Sequence, residues 1–318
     1  MLSDTAGVHH VSVIAGDPRA NRRFYTDVLG LRFVLRTVNF EDQFTYHLYY
    51  GDRQGSPGTV LTSFPYPREV PGRDGKPGIA SVTLRVPTDT LEAWRERLDA
   101  HEVTHETVDR FGDAAVAFTD PDDTRIELVG VDAATADTVD VSAPADGPVP
   151  PAEAVRGIDG VAVRSTSPYA TAALLQTFGF EQVAESENRV RYRLPGGRES
   201  AVDLLTDDAP YGREGRGSIH HVALSAANEA ELHEWRDLLA ERDYDVSRVK
   251  NRHVFHSLYV RDPGGILFEL ATERPGLGVA ERDPDPAGEL WLPDSLEPDR
   301  EMIESQLPPL DDEDPAEK

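Results

Sequence analysis

Two histidines and one glutamate are the residues whose types and spacing point most directly to chemistry. His10 and His221 are each the second member of a His-His pair that opens an alternating apolar segment, and Glu269 lies in a late apolar segment. Strand alternation places all three on the face opposite the residues that pack on helices. Two imidazoles and one carboxylate form the facial triad that holds non-heme iron and leaves positions open for reactants. We therefore predict His10, His221 and Glu269 as ligands of Fe(II), with Mn(II) as the alternative metal.

The segments that must position these side chains belong to a unit that recurs four times. Each copy contains a short strand, an amphipathic helix and three further strands, and the copies open at residues 7, 78, 157 and 218. In the first copy, Asp17 followed by Pro18 predicts where the helix begins, and Gly30 predicts where it ends. The predicted fold class is α+β, in which four βαβββ modules form two curled, eight-stranded, barrel-like sheets with the helices outside.

Equivalent positions of the four copies carry different residues. The first strands place His10, Ser81, Gly160 and His221 at one position, and the last strands place Ser63, Glu127, Asp203 and Glu269 at another. Because only the first and fourth modules together supply two histidines and a carboxylate, we predict that they share the metal-binding barrel. Modules two and three then form a barrel without metal, in which Glu127 and Asp203 are hydrogen-bonded or solvated remnants. His9 and His220 are expected to be structural or supporting, and His47 either lines the cavity or packs.

Changes in composition along the chain predict four parts. Residues 5–131 and 157–273 each hold two modules, and residues 132–156, rich in Ala, Asp and Pro, form a linker between them. Residues 274–318 are an acidic, proline-rich extension with a docking segment at Leu290–Pro293 and a short helix near Glu297–Gln306. From Asp311 onward we expect disorder.

The overall composition excludes several function classes. A formal net charge of −26 disfavours nucleic acid and anionic membranes as partners, and no apolar run reaches the roughly 18 residues of a membrane span. The absence of cysteine excludes thiolate catalysis and zinc-thiolate sites. No secretory signal is visible, so the expected compartment is the cytoplasm. Many carboxylates and only three lysines are typical of proteins from saline environments, so we expect a halophilic source.

The modules and their His and Glu positions resemble the vicinal oxygen chelate superfamily, which includes glyoxalase I, bleomycin-resistance proteins and extradiol dioxygenases. Leu258–Glu269 is similar to the extradiol dioxygenase signature, in which a tyrosine precedes the glutamate ligand by ten residues. Gly7–Val11, Thr37–Phe40 and Tyr46–Asp52 resemble ring-cleaving dioxygenases linked to hydroquinones.

This resemblance implies an iron-dependent, ring-cleaving dioxygenase whose substrates are O₂ and a small aromatic diol of the hydroquinone or catechol type. It also implies that Tyr259 and an upstream histidine, His253 or His256, are catalytic. Association into a homo-oligomer is left open.

Two other functions are weighed against this one. A glyoxalase-like lyase or isomerase commonly needs a carboxylate base beside the metal, but Ser63 occupies the equivalent position of the first module. A metal-free protein that sequesters a drug or a quinone typically lacks the two histidines and the glutamate, which are present here.

Overall fold

The four modules are distinct in the computed structural model, which describes residue 2 and residues 4–132, 147–196, 198, 200–277 and 289–310. Module one contains β1 (Val8–Ala15), α1 (Pro18–Arg23) with a π-helical turn (Phe24–Val28), β2 (Arg32–Asn39), β3 (Asp42–Gly51) and β4 (Val60–Pro65). Module two contains β5 (Gly78–Pro87), a 3₁₀ turn (Thr88–Thr90), α2 (Leu91–Ala100), β6 (His105–Arg110), β7 (Asp113–Thr119) and β8 (Arg125–Val131).

The second half of the chain follows the same order. Module three contains β9 (Ile158–Arg164), α3 (Pro168–Thr177), β10 (Glu181–Ser186), β11 (Arg189–Arg193) and β12 (Ala201–Leu205). Module four contains β13 (Ile219–Ala226), α4 (Glu229–Glu241), β14 (Asp245–Val246), β15 (Lys250–Asn251), β16 (Phe255–Arg261) and β17 (Leu267–Pro275). A 3₁₀ turn (Glu297–Asp299) and α5 (Arg300–Gln306) follow. The predicted α+β class is confirmed.

Helix starts agree with the local chemistry of the sequence. The side chain of Asp17 accepts hydrogen bonds from the amides of Arg19 and Ala20, and Pro18 occupies the first helical position. In module four, Asn228 accepts a hydrogen bond from the amide of Glu231, whose carboxylate accepts one from the amide of Ala227. This reciprocal cap fixes the beginning of α4 directly after β13, the strand that carries His221.

Strand pairing joins the first module to the fourth and the second to the third. β1 runs antiparallel to β13, and β5 runs antiparallel to β9. Within modules one and four, the last strand lies parallel to the first, as β4 beside β1 and β17 beside β13. A further bridge between Ile219 and Ile79 connects the two halves, so the described strands form one continuous sheet rather than the two separate sheets expected.

The side chains of each central strand divide between two faces. Val11, Val222 and Phe268 belong to the large core under the helices, together with Trp235 of α4. A smaller apolar cluster, which includes Tyr49 and Phe255, lies elsewhere on the sheet. The residues at intervening positions of β1, β13 and β17 are therefore presented to the opposite face, as the alternation predicted.

The segments outside the modules also contribute to packing where they are described. Much of the predicted linker, residues 133–146, lies outside the described residues, as does the tail from Asp311. Val149 and Val155, near the end of the linker, are buried. In the C-terminal extension, Leu290, Leu292 and Ile303 enter the large core. None of the helices in the described part of the chain has the length and apolar character needed to cross a membrane.

Candidate metal centre

His10, His221 and Glu269 meet at one point where β1, β13 and β17 lie side by side. Nε2 of His221 lies 2.8 Å from Oε2 of Glu269, and Nε2 of His10 lies 3.1 Å from the same oxygen. The two Nε2 atoms are 3.3 Å apart. One potential ligand atom from each residue lies within 4.8 Å of the others, and all three side chains are buried. The structure therefore brings together the three residues that the sequence indicated.

The protonation of these groups suits metal binding. Burial lowers the pKa of His221 to about 4, so this imidazole is neutral near pH 7. Burial opposes ionisation of Glu269, but His10 and His221 more than offset that effect and hold the pKa of its carboxyl well below the usual value. A neutral imidazole and a carboxylate are the forms of these side chains that bind metal ions.

Each ligand histidine is oriented by the histidine before it. Nδ1 of His10 lies 2.9 Å from Nδ1 of His9, and Nδ1 of His221 lies 2.7 Å from Nδ1 of His220. Because these contacts engage Nδ1, Nε2 of each ligand is directed at Glu269. Burial lowers the pKa of His9 to about 3 and also lowers that of His220, so both neighbours are neutral near pH 7. The supporting role expected for His9 and His220 thus has a geometric basis.

The donor set fits a divalent metal ion. Glu269 has no exposed surface, and neither of its oxygens receives a hydrogen bond of normal geometry from any described residue. An ionised carboxylate in such a place is costly unless a cation compensates it. Two imidazole nitrogens and one carboxylate oxygen on one side of an ion match a site that leaves positions free for other ligands.

A cavity of about 540 Å³ opens beside His10 and His221, both of which line it. Its aromatic lining comprises Phe40, Tyr49, Phe64, Tyr66, Phe255 and Tyr259. Its charged lining comprises Glu41, Glu69, Glu214, Lys250 and Arg252. This volume is typical of sites for small molecules, and the aromatic walls suit a flat apolar ring.

Tyr259 lies in the cavity beside the ligands. It is paired with Glu269 in the register of β16 and β17, and its ring makes an edge contact with that of His221. Arg252 donates a hydrogen bond of 3.0 Å to Oη of Tyr259. Burial, followed by the nearby charge of Glu269, raises the pKa of Tyr259, so its hydroxyl stays protonated.

His47 lines the cavity, which settles the alternative left open by the sequence. Its Nε2 lies 3.0 Å from Oγ1 of Thr62, and its Nδ1 lies 2.9 Å from the hydroxyl of Tyr49. The ring also stacks on Phe64. Burial holds the pKa of His47 well below its usual value, so this side chain is neutral in the physiological range.

The structure does not bring His253 or His256 to the metal centre. Neither is among the described residues that line the cavity. His253 is exposed, and its ring contacts Phe40 and Trp291. Nε2 of His256 lies 3.7 Å from Glu229 at the start of α4. The catalytic histidine that the family resemblance implied upstream of Tyr259 is therefore not found beside His10, His221 and Glu269.

Arg252 and Lys250 are cavity residues that the sequence reasoning missed. Both surround Tyr259, with the Arg252 guanidinium 5.3 Å and the Lys250 ammonium 5.4 Å from the centre of its ring. Lys250 is one of only three lysines in the chain, and it precedes Tyr259 by nine residues. The scarcity of lysine was the feature of the sequence that could have drawn attention to Lys250.

The equivalent positions of modules two and three hold ion pairs instead. Arg110 binds both oxygens of Glu127, at 2.7 and 2.6 Å. Arg191 binds both oxygens of Asp203, at 2.8 and 2.9 Å, and Arg189 adds a third bond. The two carboxylates that resemble Glu269 in sequence are thus neutralised by arginine, in agreement with their expected role as hydrogen-bonded remnants.

Comparison with known proteins agrees with this architecture. Residues 7–128 and 158–270 match the model of the Glyoxalase/Bleomycin resistance protein/Dioxygenase superfamily. The chain is 37% identical over 314 residues to the Bacillus subtilis (strain 168) protein named "Putative ring-cleaving dioxygenase MhqO", with 98% of each chain covered. It is 30% identical over 282 residues to the chlorohydroquinone/hydroquinone 1,2-dioxygenase of Sphingobium indicum, covering 83% of this chain and 84% of that protein.

Solved structures give the same result. A crystal structure of a Bacillus subtilis protein described as a "putative dioxygenase" superposes with a TM-score of 0.90 at 35% identity, covering 98% of this chain and 99% of that one. Glyoxalase I from Zea mays superposes with a TM-score of 0.59 at 15% identity, covering 84% and 92%, and so shares the fold. The chain belongs to the Glyoxalase/Bleomycin resistance protein/Dioxygenase superfamily.

Proposed function

We propose that this chain is a ring-cleaving dioxygenase that uses O₂ to open a hydroquinone- or catechol-like aromatic diol. The observation that carries the proposal is the buried set of His10, His221 and Glu269 beside an aromatic-lined cavity. Relatives named for ring cleavage align over most of the chain, one of them named for hydroquinone and chlorohydroquinone. We further propose Fe(II) as the metal, with Mn(II) as the alternative, because this donor set is typical of non-heme iron oxygenases.

The metal would hold the diol and oxygen within reaction distance of each other. The chain itself supplies the orientation of the ring. Phe255 and Phe64 offer apolar walls on which an aromatic ring can pack. The ring of Phe255 contacts that of His10, and the ring of Phe64 stacks on that of His47. A diol placed between these walls presents its oxygens to the ligand side of the cavity.

Tyr259 and Arg252 are the groups proposed to contact the substrate oxygen. The hydroxyl of Tyr259 is protonated and near Glu269, so it can donate a hydrogen bond to a phenolic oxygen. The guanidinium of Arg252 keeps this hydroxyl in place and favours a phenolate over a phenol by its charge. His253 and His256 lie away from the cavity lining, so we assign neither of them a proton transfer.

A glyoxalase-like lyase fits the site less well. In such an enzyme a carboxylate base would stand at the module-one position equivalent to Glu269. The sequence predicted Ser63 there, but the register places Thr62 there instead, because Thr62 is opposite Ser12 as Glu269 is opposite Ala223. Ser63 donates a hydrogen bond of 2.7 Å to Asn21 in α1 and so faces the helix. Thr62 is not a carboxylate, so the base of such an enzyme has no counterpart at this position.

Oxygen uptake by protein loaded anaerobically with Fe(II) tests the proposed function. Hydroquinone and catechol would be supplied in high-salt buffer, with His221→Ala as the control. We expect uptake accompanied by a ring-opened product from the native chain and none from the variant. Stoichiometric bound metal without oxygen uptake on either diol would contradict the proposal and would direct the search to thiol–aldehyde adducts, the substrates of the lyase alternative.

A further inference from the structure

His253 occupies an unusual backbone conformation beside Phe40 and Arg252, two residues that line the cavity. Its φ is +63°, in the left-handed region that costs free energy for a residue with a side chain, and the residue is exposed. The turn is closed by short hydrogen bonds on both sides. The amide of His253 donates to Oδ1 of Asn251 at 2.7 Å, and the amide of Val254 donates to the carbonyl of Arg252 at 2.7 Å. The conformation of this turn therefore sets the direction in which Arg252 leaves the backbone.

The ring of His253 joins three separate parts of the chain. It lies 4.9 Å from the ring of Phe40, in the turn between β2 and β3, and 6.4 Å from the ring of Trp291, in the C-terminal extension. Phe40 and Trp291 are themselves 6.3 Å apart. All three contacts are edge-to-face, the favoured geometry for aromatic pairs. We call these three residues the aromatic clasp.

The clasp is also anchored through the backbone of Trp291. The amide of Trp291 donates a hydrogen bond of 2.9 Å to the carbonyl of Arg36 in β2. A second connection runs parallel to the clasp, because Glu41 forms ion pairs with Lys250 and, at 3.5 Å, with Arg252. Module one and module four are thus joined twice beside the cavity, once by rings and once by charges.

We propose that His253 is a positioning residue that acts through the aromatic clasp on Arg252, and through Arg252 on Tyr259. Arg252 directly precedes His253 in the chain and donates a hydrogen bond to Oη of Tyr259. Its ordering therefore determines where the Tyr259 hydroxyl lies relative to the bound diol. This inference rests on the proposed function, in which Tyr259 contacts the substrate. The exposed His253 then affects substrate binding although it does not contact the substrate.

Two variants separate the ring from the backbone. His253→Asn removes the ring but keeps a residue that tolerates the left-handed conformation. His253→Phe keeps the ring but removes the titratable nitrogens. A matched control is Asp243→Asn, because Asp243 is also exposed and left-handed, with φ +60°, and lies after α4. Trp291→Leu disrupts the same clasp from its other side.

Hydrogen exchange of the amides in residues 247–259 is the first measurement, and it requires neither metal nor substrate. We expect exchange about tenfold faster in His253→Asn and in Trp291→Leu, little additional change in the double variant, and native rates in His253→Phe and Asp243→Asn. Native exchange rates in His253→Asn would overturn the clasp itself.

Anaerobic titration of the Fe(II)-loaded protein with hydroquinone is the second measurement, and it separates binding from turnover. We expect a dissociation constant several-fold higher in His253→Asn and a native value in His253→Phe. A native dissociation constant despite faster exchange would overturn the positioning role. A lower kcat with unchanged binding and an altered pH profile would show direct proton transfer by His253 instead. If the native chain binds no diol, the proposed function fails, while the exchange rates still decide whether the clasp orders Arg252.

Discussion

The Nε2 atoms of His10 and His221 lie 3.3 Å apart although 211 positions separate the two residues in the chain. The antiparallel pairing of β1 with β13, in which Ser12 is opposite His221, creates this proximity. Each residue comes from the first strand of its own module. A site of this kind exists only when modules one and four are side by side, so the candidate metal site depends on the pairing of these modules.

Replacing Glu269 by glutamine is expected to abolish stabilisation of the protein by metal. Mn(II), an air-stable probe, should raise the Tm of the native chain, because a ligand at 100 times its dissociation constant stabilises by about 2.7 kcal/mol. In Glu269→Gln this rise should vanish, since one of the three ligands is lost. Glu127→Gln is the matched control at the equivalent position of module two, and it should retain the rise. Equal rises in both variants would remove Glu269 from the site.

The candidate metal centre could be predicted from the sequence because two simple rules sufficed. Strand alternation gave the face of each residue, and the repeat showed which modules must be combined to assemble His10, His221 and Glu269. Arg252 could not be found in the same way. It lies in a turn next to the very short β15, and its direction depends on contacts of His253 with Phe40 and Trp291, which are distant in the chain.

The direction of His256, which the resemblance implied as an alternative catalytic residue, could not be predicted for a related reason. β16 begins after the left-handed His253 and has an irregular register between Phe255 and Ser257, so strand alternation does not give the direction of the side chains there. The separate-sheet expectation failed because a single bridge, between Ile219 and Ile79, joins the halves. No pattern within one module encodes a contact of that kind.

Glu127→Gln is also expected to destabilise the protein by about 3 kcal/mol, because it breaks a buried ion pair and leaves Arg110 without its partner. The matched control is Glu106→Gln. Glu106 pairs with Arg125 at the surface, so its loss should cost about 0.5 kcal/mol or less. Urea unfolding measures both free energies. Loss of bound Mn(II) in Glu127→Gln, beyond that explained by unfolding, would mean that the pair formed by modules two and three also contributes to metal binding.

Tyr259→Phe is expected to lower kcat for the diol by about 10²-fold while leaving the metal content unchanged, because the variant lacks only the hydroxyl directed into the cavity. Tyr169→Phe serves as the control, since Tyr169 is 93% exposed on α3. Steady-state oxygen uptake and metal analysis of the same samples provide the comparison. Unchanged turnover in Tyr259→Phe would exclude this residue from the reaction.

The metal-free protein is expected to lose stability as the pH falls below 6.5. Burial lowers the pKa of His9 to about 3 and holds that of His47 well below 6.5, so below pH 6.5 the unfolded chain binds protons that the folded chain does not. Each such histidine then lowers the free energy of unfolding by up to about 1.4 kcal/mol per pH unit, and the loss continues until the folded pKa is reached.

His47→Gln tests this pH dependence at one residue. The slope of the unfolding free energy against pH is measured in urea between pH 6.5 and 5 with a chelator present. In His47→Gln it should fall by the amount that corresponds to the uptake of about one proton on unfolding. His233→Gln changes an exposed histidine of α4 and should leave the slope as it is. An unchanged slope in His47→Gln would show that His47 takes up its proton in the folded state.

Potassium chloride is expected to raise the Tm of the native chain steeply up to about 1 M and only weakly above it. The net charge of −26 destabilises the folded state by self-repulsion, and salt screens that repulsion as the Debye length falls from about 10 Å at 0.1 M to about 3 Å at 1 M. Sucrose, which acts by exclusion from the surface without screening, is the control and should give a smaller, nearly linear rise. Differential scanning calorimetry at matched osmolality compares the two. Equal effects of salt and sucrose would mean that surface exclusion, and not charge screening, stabilises this acidic chain.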